Sequence, residues 1–343
     1  MNKKLYILAT AALFAACASN DVKNDIVENN PEIGFDANTY KTTRAEITDN
    51  AALASAGGFI VWGYKAKNQT PMNWATEAYT VFDGVNVTAS ANNGAYISGQ
   101  QTNWTYATKK YWDKNANYCF YAAAPYKAST YSVTGTNDAK MITIDNVTSG
   151  LASASDDFLI ARGGVKDRAG SDQTSNVDFT FNHTMTKVDF KLKKGANVAG
   201  EVKVQSITMT GWNNGVGKFI QNSNNTPATL ANGEWQFKST AAGSVEILTG
   251  ETAALTTTAV KSTSQDYIMV PQNINASTLT FTIDFTVDGE PFNDHVGTIA
   301  TAQTWGTDSH FTYTITIAPA TIEFDVASIA GFGNETAGAV TVE

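Results

Sequence analysis

Apolar and polar residues alternate with a period of two along most of this chain, in short runs set between clusters of Gly, Asn, Asp and Thr. Phe179-Thr180-Phe181 alternates, as do Val188-Asp189-Phe190-Lys191-Leu192, the stretch from Leu279 to Val287 and that from Phe311 to Ile317. Successive side chains of a strand point to opposite faces, so each run predicts a strand with one buried and one wet face. Thr fills many of the polar positions, and a β-branched residue suits a pleated surface. No long segment carries apolar residues at helical spacing. Many short strands with frequent turn signals predict an all-β chain made of two tandem β-sandwich domains. The glycines and charged residues between Ala161 and Asn176 read as a linker. They put the boundary near residue 175, between an N-terminal sandwich, 45–175, and a C-terminal one, 176–343. The Asn-rich stretch 221–233 reads as an exposed loop of the second.

Three alternating segments stand out. Glu32-Ile33-Gly34-Phe35-Asp36-Ala37 places Ile33, Phe35 and Ala37 on one face. Thr321-Ile322-Glu323-Phe324-Asp325-Val326 does the same with Ile322, Phe324 and Val326, so that Ile-x-Phe-Asp occurs near each end of the chain. The last residues, Ala339-Val340-Thr341-Val342-Glu343, alternate again through Val340 and Val342, after the glycines 331, 333 and 338. Between the first strand and the body lies Thr42-Thr43-Arg44-Ala45, where a lone Arg among Thr reads either as a trypsin-like cleavage site or as an ordinary exposed arginine.

The first residues add a targeting signal. Lys3 and Lys4 precede an apolar run from Leu5 to Ala16, too short for a mature membrane span, so residues 1–16 read as a signal peptide. Phe14-Ala15-Ala16-Cys17 has the form of a bacterial lipobox, with Phe14 where Leu is usual, and predicts lipidation of Cys17. The alternative is an ordinary signal-peptidase site beside a chance cysteine. Residues 18–31 are polar and read as a tether, so 17–44 makes a lipidated propeptide with a removable strand.

Charge and composition narrow the function. Lys plus Arg is 23 against 32 for Asp plus Glu, a net charge of −9, which leaves no basic footprint for nucleic acid. Three His and two Cys are too few for a disulfide framework or a soft-metal site. Cys119, in the apolar run Tyr118-Cys119-Phe120-Tyr121, reads as a buried small hydrophobe. Neither a Gly-x-Ser-x-Gly elbow, a His-Glu-x-x-His pair nor a phosphate-cradling loop is present. Asp113-Lys114-Asn115-Ala116-Asn117 starts like an EF-hand loop but has Tyr118 where Gly is required and Ala124 where Glu is required. His183, His295 and His310 read as histidines of strand faces or loops, and the expectation is a chain that is not an enzyme and needs no cofactor. Seven Trp, spread from Trp62 to Trp305, read as sandwich core; clustered on one exposed face they would instead make a sugar-stacking platform on a non-polymerising, glycan-binding outer-membrane lipoprotein.

A strand that is cut off its body leaves a sheet edge open. Such an edge presents a row of unpaired N–H and C=O groups and templates another strand. A C-terminal strand of a neighbouring subunit, carrying Ile322, Phe324 and Val326 or Val340 and Val342, fills it by strand addition. The contact is head-to-tail and builds an open filament.

The order of motifs resembles the fimbrillin family of Bacteroidales, lipoprotein-precursor pilins that include FimA-like and Mfa-like subunits. Trp104-Thr105-Tyr106, Tyr111-Trp112 and Phe120-Tyr121-Ala122, with Pro125 after them, form one stretch of the resemblance. Asp157-Phe158-Leu159-Ile160-Ala161, then Phe181-Asn182-His183 with Lys187-Val188, form the next two. Tyr267 to Gln272 and Trp305-Gly306 before Phe311-Thr312-Tyr313 complete it. The usual late Trp is Phe332 here. The resemblance implies two transthyretin-like β-sandwiches and export as an outer-membrane lipoprotein through Cys17. It also implies cleavage between Arg44 and Ala45 by a trypsin-like surface protease, assembly with other fimbrial subunits by strand exchange, and adhesion, in a stalk more than at a tip.

Overall fold

In the computed structural model the described residues are 30–39, 47, 49–67, 78–90, 104–127, 129–135, 140–152, 157–166, 176–221, 233–261, 266–299, 301–318, 322–330 and 340–341. Their first part forms β1 (Phe35–Thr39), the helix α1 (Asn50–Ser55), β2 (Phe59–Lys67), β3 (Ala78–Ala89), β4 (Trp104–Thr105), β5 (Ala116–Ala124), β6 (Tyr131–Thr134), β7 (Met141–Val147), β8 (Gly150–Leu151) and β9 (Leu159–Lys166). Then come β10 (Val177–His183), β11 (Thr186–Lys194), β12 (Val202–Asn213), β13 (Gly217–Gln221), β14 (Gly233–Phe237), β15 (Ala242–Thr249), β16 (Val260–Lys261) and β17 (Tyr267–Met269). The last are β18 (Gln272–Ile274), β19 (Thr280–Val287), β20 (Glu290–Thr298), β21 (Gln303–Trp305), β22 (Ser309–Ile317), β23 (Ile322–Ala330) and β24 (Val340–Thr341). The chain is all-β among these residues apart from α1, whose first turn is capped by the Asp49 carboxylate accepting the Ala52 N–H at 2.8 Å.

A seven-stranded sheet runs β1-β10-β9-β5-β2-β3-β4. Its middle strand β5 is buried at every position, as its near-continuous apolar sequence requires of a strand covered on both faces. Phe59 and Val61 of β2 point to one side, into a cluster with Phe82, Phe120, Phe179, Phe181, Leu53 and Trp104. Ile60, Trp62 and Tyr64 point to the other, against Ile142, Ile144 and Phe219 of the four-stranded sheet β14-β13-β7-β6. A third cluster lies between the sheet β24-β23-β22-β11-β17-β8 and the sheet β15-β12-β19-β20, and holds Phe190, Tyr313, Ile207 and Phe281.

Two details differ from the sequence expectation. The stretch 161–176 does not start as a linker: residues through Lys166 continue β9 and pair with β5. Gly163 is there for packing, since a Cβ at that position would lie 2.4 Å from Val177 Cγ1. The first sheet also extends past the boundary expected at 175, because β10 supplies Phe179 and Phe181 to its core. Further along, β13 crosses back to pair with β7, Phe219 opposite Ile144. The expected loop at 221–233 lies outside the described residues except for its two ends.

Candidate functional site

Residues 31–39 form a ribbon along one border of the first sheet, and its alternation translates directly into burial. Ile33 and Phe35 are 0% exposed and Ala37 is 3%, while Glu32 and Asn38 face out. The ribbon enters beside the 110–112 segment: the Trp112 N–H donates to the Pro31 carbonyl at 3.0 Å and the Ile33 N–H to the Lys110 carbonyl at 2.8 Å. At Gly34 it changes partner. The Val177 N–H donates to the Gly34 carbonyl at 2.8 Å, and from Phe35↔Val177 to Thr39↔Phe181 it runs parallel to β10. β1 is therefore the terminal strand of this sheet, bonded on one side only among the described residues.

Phe35 is the centre of the contact. Its ring lies within 5.2 Å of Phe82, 5.5 Å of Tyr106, 5.8 Å of Phe179, 6.2 Å of Phe120 and 6.5 Å of Phe59, measured between centroids. Edge-to-face and offset pairs of this kind add to the burial of the ring itself. Gly63 makes room for the cluster, since a Cβ there would come within 2.7 Å of Phe82. The Tyr106 hydroxyl donates to the Ile33 carbonyl at 2.7 Å, and burial pushes its phenol up to about 12. Burying Ile33, Phe35 and Ala37 contributes roughly 5–6 kcal/mol to docking, before the cost of ordering the ribbon.

The outer face of the seam is polar. Asp36 pairs in register with Asp178 across it, and the Asn176 side-chain amide donates to Asp36 at 3.0 Å. Asn176 reaches that place because residue 34 is glycine: a Cβ would sit 2.0 Å from its Oδ1. Burial holds the Asp36 carboxyl above the usual aspartate range, the Asn176 hydrogen bond opposes this, and the Asp178 charge raises it further. At the ribbon's start, Lys109 pairs with Glu32 at 2.6 Å on the surface.

The other residues singled out in the sequence are scattered. Cys17, Arg44, Ala45 and Val342 lie outside the described residues. Ile322, Phe324 and Val326 belong to β23, which pairs with β22 along nine residues, from Ile317↔Ile322 to Ser309↔Ala330. Val340 pairs with Val326 on the far side of β23. Cys119 is buried and takes no part in a disulfide among the described residues. Trp62, Trp104, Trp112, Trp212 and Trp305 are each at most 6% exposed. They are divided among three core clusters, an arrangement that offers no shared stacking face.

Two buried acid–histidine pairs escaped the sequence reading. His183 Nδ1 lies 2.7 Å from Asp157 Oδ1, and His310 Nε2 lies 3.2 Å from Asp189 Oδ2. Burial is the largest single influence on the Asp189 carboxyl and raises it, but His310 and Thr312 beside it together hold it below the usual range. Both pairs are sealed, at 5% exposure or less. Among the described residues no three His, Cys, Asp or Glu side chains gather as a metal site.

Comparison with known proteins places these features. A family model described as fimbrillin-like matches residues 28–331. No curated protein matches the chain. A solved fimbrial protein from Bacteroides vulgatus ATCC 8482 is similar with a TM-score of 0.54 and 16% identity, over 88% of this chain and 99% of that one. A protein described as a candidate for cell adhesion, from Bacteroides uniformis ATCC 8492, is similar with a TM-score of 0.47 and 16% identity, over 89% of this chain and 99% of that one. At 16% identity the likeness to the Bacteroides vulgatus protein is one of fold.

Proposed function

The chain belongs to the fimbrillin-like family, and from that premise we propose that it is a structural subunit of a bacterial surface fimbria that serves cell adhesion. It is exported as a lipoprotein anchored in the outer membrane through Cys17, and a trypsin-like surface protease cuts it between Arg44 and Ala45. The cut turns the 31–39 ribbon into a separate peptide held by contacts alone. When the ribbon leaves, the aromatic pocket around Phe35 and the free edge of β10 take a C-terminal strand from the next subunit, and head-to-tail repetition makes the filament. The two alternating C-terminal segments suit a stalk subunit, since a tip subunit has no need to donate.

One observation carries this reading: a border strand with a fully buried, ring-surrounded Phe35 lies just before the arginine that predicts the cut. Ile33-Gly34-Phe35-Asp36-Ala37 and Ile322-Glu323-Phe324-Asp325-Val326 are identical at three positions of five and apolar at a fourth, Ala37 against Val326. A replacing strand thus offers the groove the same chemistry that the ribbon removes.

Limited trypsin digestion of the purified full-length chain tests the proposal. The expected product begins at Ala45 and forms ladders that resist SDS, and removal of residues 337–343 abolishes the ladders. A product that begins at Ala45 and stays monomeric overturns assembly by strand replacement.

A further inference from the structure

The groove under β1 ends at a sealed polar cluster. Val177, Phe179, Phe181 and His183 share the buried face of β10. Thr39, the last residue of β1, pairs with Phe181, so the next inward-facing position of β10 is His183. It is already engaged: His183 Nδ1 lies 2.7 Å from Asp157 Oδ1. The other oxygen, Asp157 Oδ2, accepts the backbone N–H of Ile47 at 3.1 Å. Ile47 and Asp157 are 0% exposed and His183 is 1%. Ile47 belongs to the same apolar cluster as Ile33, Phe35 and Ala37. A carboxylate so deeply buried is costly unless its oxygens are bonded, and here one oxygen holds a single backbone amide 110 residues away in sequence.

We propose that Ile47, Asp157 and His183 form the end stop of the exchangeable ribbon. This rests on the strand-replacement reading above. The cut at Arg44 falls between Thr39 and Ile47, so it creates two loose ends. One belongs to the ribbon, which peels from a sheet border one hydrogen bond at a time. The other begins at Ala45 and leads within a few residues to α1, whose Leu53 is buried in the same core. Fraying of that second end would open the core along with the groove. Asp157 stops it at Ile47, which is itself buried, and His183 orients Asp157. The same cluster fixes the length of the vacated site: a replacing strand has inward positions up to the partner of Phe181 and none beyond it. Asp157 and His183 are positioning residues in this account, acting through the Ile47 amide.

Hydrogen exchange of the full-length chain, before and after limited trypsin cleavage, tests the stop. In the cut wild-type protein, exchange rises across 31–39 while residues 47–57 stay protected. Asp157→Asn and His183→Ala speed exchange at 47–57 after cutting by about tenfold or more, the loss of a charge-assisted hydrogen bond, with β2 and β5 unchanged. His183→Asn, whose amide can donate to Asp157 in place of Nδ1, restores protection. The stop is overturned if 47–57 exchanges as fast as 31–39 in the cut wild type, or if the two disruptive variants leave 47–57 protected. Persistent protection of 31–39 after cutting overturns strand release instead. The stop is then judged on the uncut chain, where the same variants must speed exchange at the Ile47 amide and an unchanged rate refutes it.

Discussion

The rings of Phe35 and Phe179 stack across the seam between β1 and β10, their centroids 5.8 Å apart and their planes 22° from parallel. One ring belongs to the ribbon, the other to the wall that the ribbon would leave behind. The strength of ribbon docking is therefore concentrated in one side chain. Phe35→Ala should weaken docking by about 3–5 kcal/mol, the usual cost of emptying a buried phenylalanine site. The expected result is much faster hydrogen exchange across 31–39 in the uncut protein, with the sheet formed by β12 and β19 unaffected. Unchanged exchange at 31–39 would show that the ladder to β10, and not the ring, holds the ribbon.

The outer face of the same seam makes docking depend on pH. Asp36 is half-buried beside Asp178, and its carboxyl is raised above the ordinary value of 3.8 by burial first and by Asp178 third, with the Asn176 hydrogen bond opposing both. A carboxyl whose pKa is higher in the folded state contributes stability that is complete below the unfolded value and is lost as pH rises through the folded one. The ribbon should thus be held most tightly in acid and loosen toward neutral pH. Exchange at 31–39, corrected for its intrinsic base catalysis, should show this slope, and Asp36→Asn should flatten it. A slope of opposite sign would mean that the Asn176 hydrogen bond to the carboxylate outweighs burial.

Tyr106 fixes the ribbon's entry. Its hydroxyl donates to the buried Ile33 carbonyl at 2.7 Å and accepts the Lys110 N–H at 3.2 Å. Tyr106→Phe keeps the ring contact with Phe35 but leaves that carbonyl without its phenol donor, a cost of about 1–3 kcal/mol. Denaturant unfolding should show a lower midpoint at an unchanged slope. Exchange should quicken first at Ile33 and Gly34, not at Thr39, because the loss is at the entry end.

How much of this was legible beforehand follows from the range of each signal. The buried row Ile33, Phe35, Ala37 was readable because strand alternation is local, and Cys119 because it sits in an apolar run. Pairing of β1 with β10 was not, since Phe35 and Val177 meet across a span of chain whose register only the folded core decides. Asp157 stands out in the sequence only as the start of the Asp157–Ala161 motif, and His183 as a histidine of a strand face or loop. Their contact needs β9 and β10 side by side, which neither segment encodes alone. The glycines 163 and 164 misled for a related reason: glycine signals a linker in sequence, yet Gly163 is required by the closeness of Val177. The excursion of β13 to β7 was equally hidden, because Gly217-Lys218-Phe219-Ile220 states a strand and not a partner.

The C-terminal strands differ in how much holds them, and that difference predicts which can be given away. β24 meets β23 at two pairs, Asp325↔Thr341 and Val326↔Val340, whereas β23 pairs with β22 at nine. Stripping two ladder pairs costs little when each hydrogen bond contributes about 0.5–1.5 kcal/mol net, while stripping nine uncovers a whole border of the sheet. Removal of residues 337–343 should leave the melting temperature of the uncut protein nearly unchanged, and truncation before Ile322 should lower it sharply or prevent folding. The tail is thus the segment a subunit can release without losing its own sheet, although Val340 and Val342 fill a phenylalanine pocket less fully than Phe324 would. Val342→Phe should therefore tighten subunit contacts if the tail alone is donated, raising the temperature at which SDS-resistant ladders dissociate, while Phe324→Leu leaves that temperature unchanged. If Phe324→Leu lowers it and Val342→Phe does not alter it, the donated strand is β23, and its release from β22 becomes the step that limits assembly.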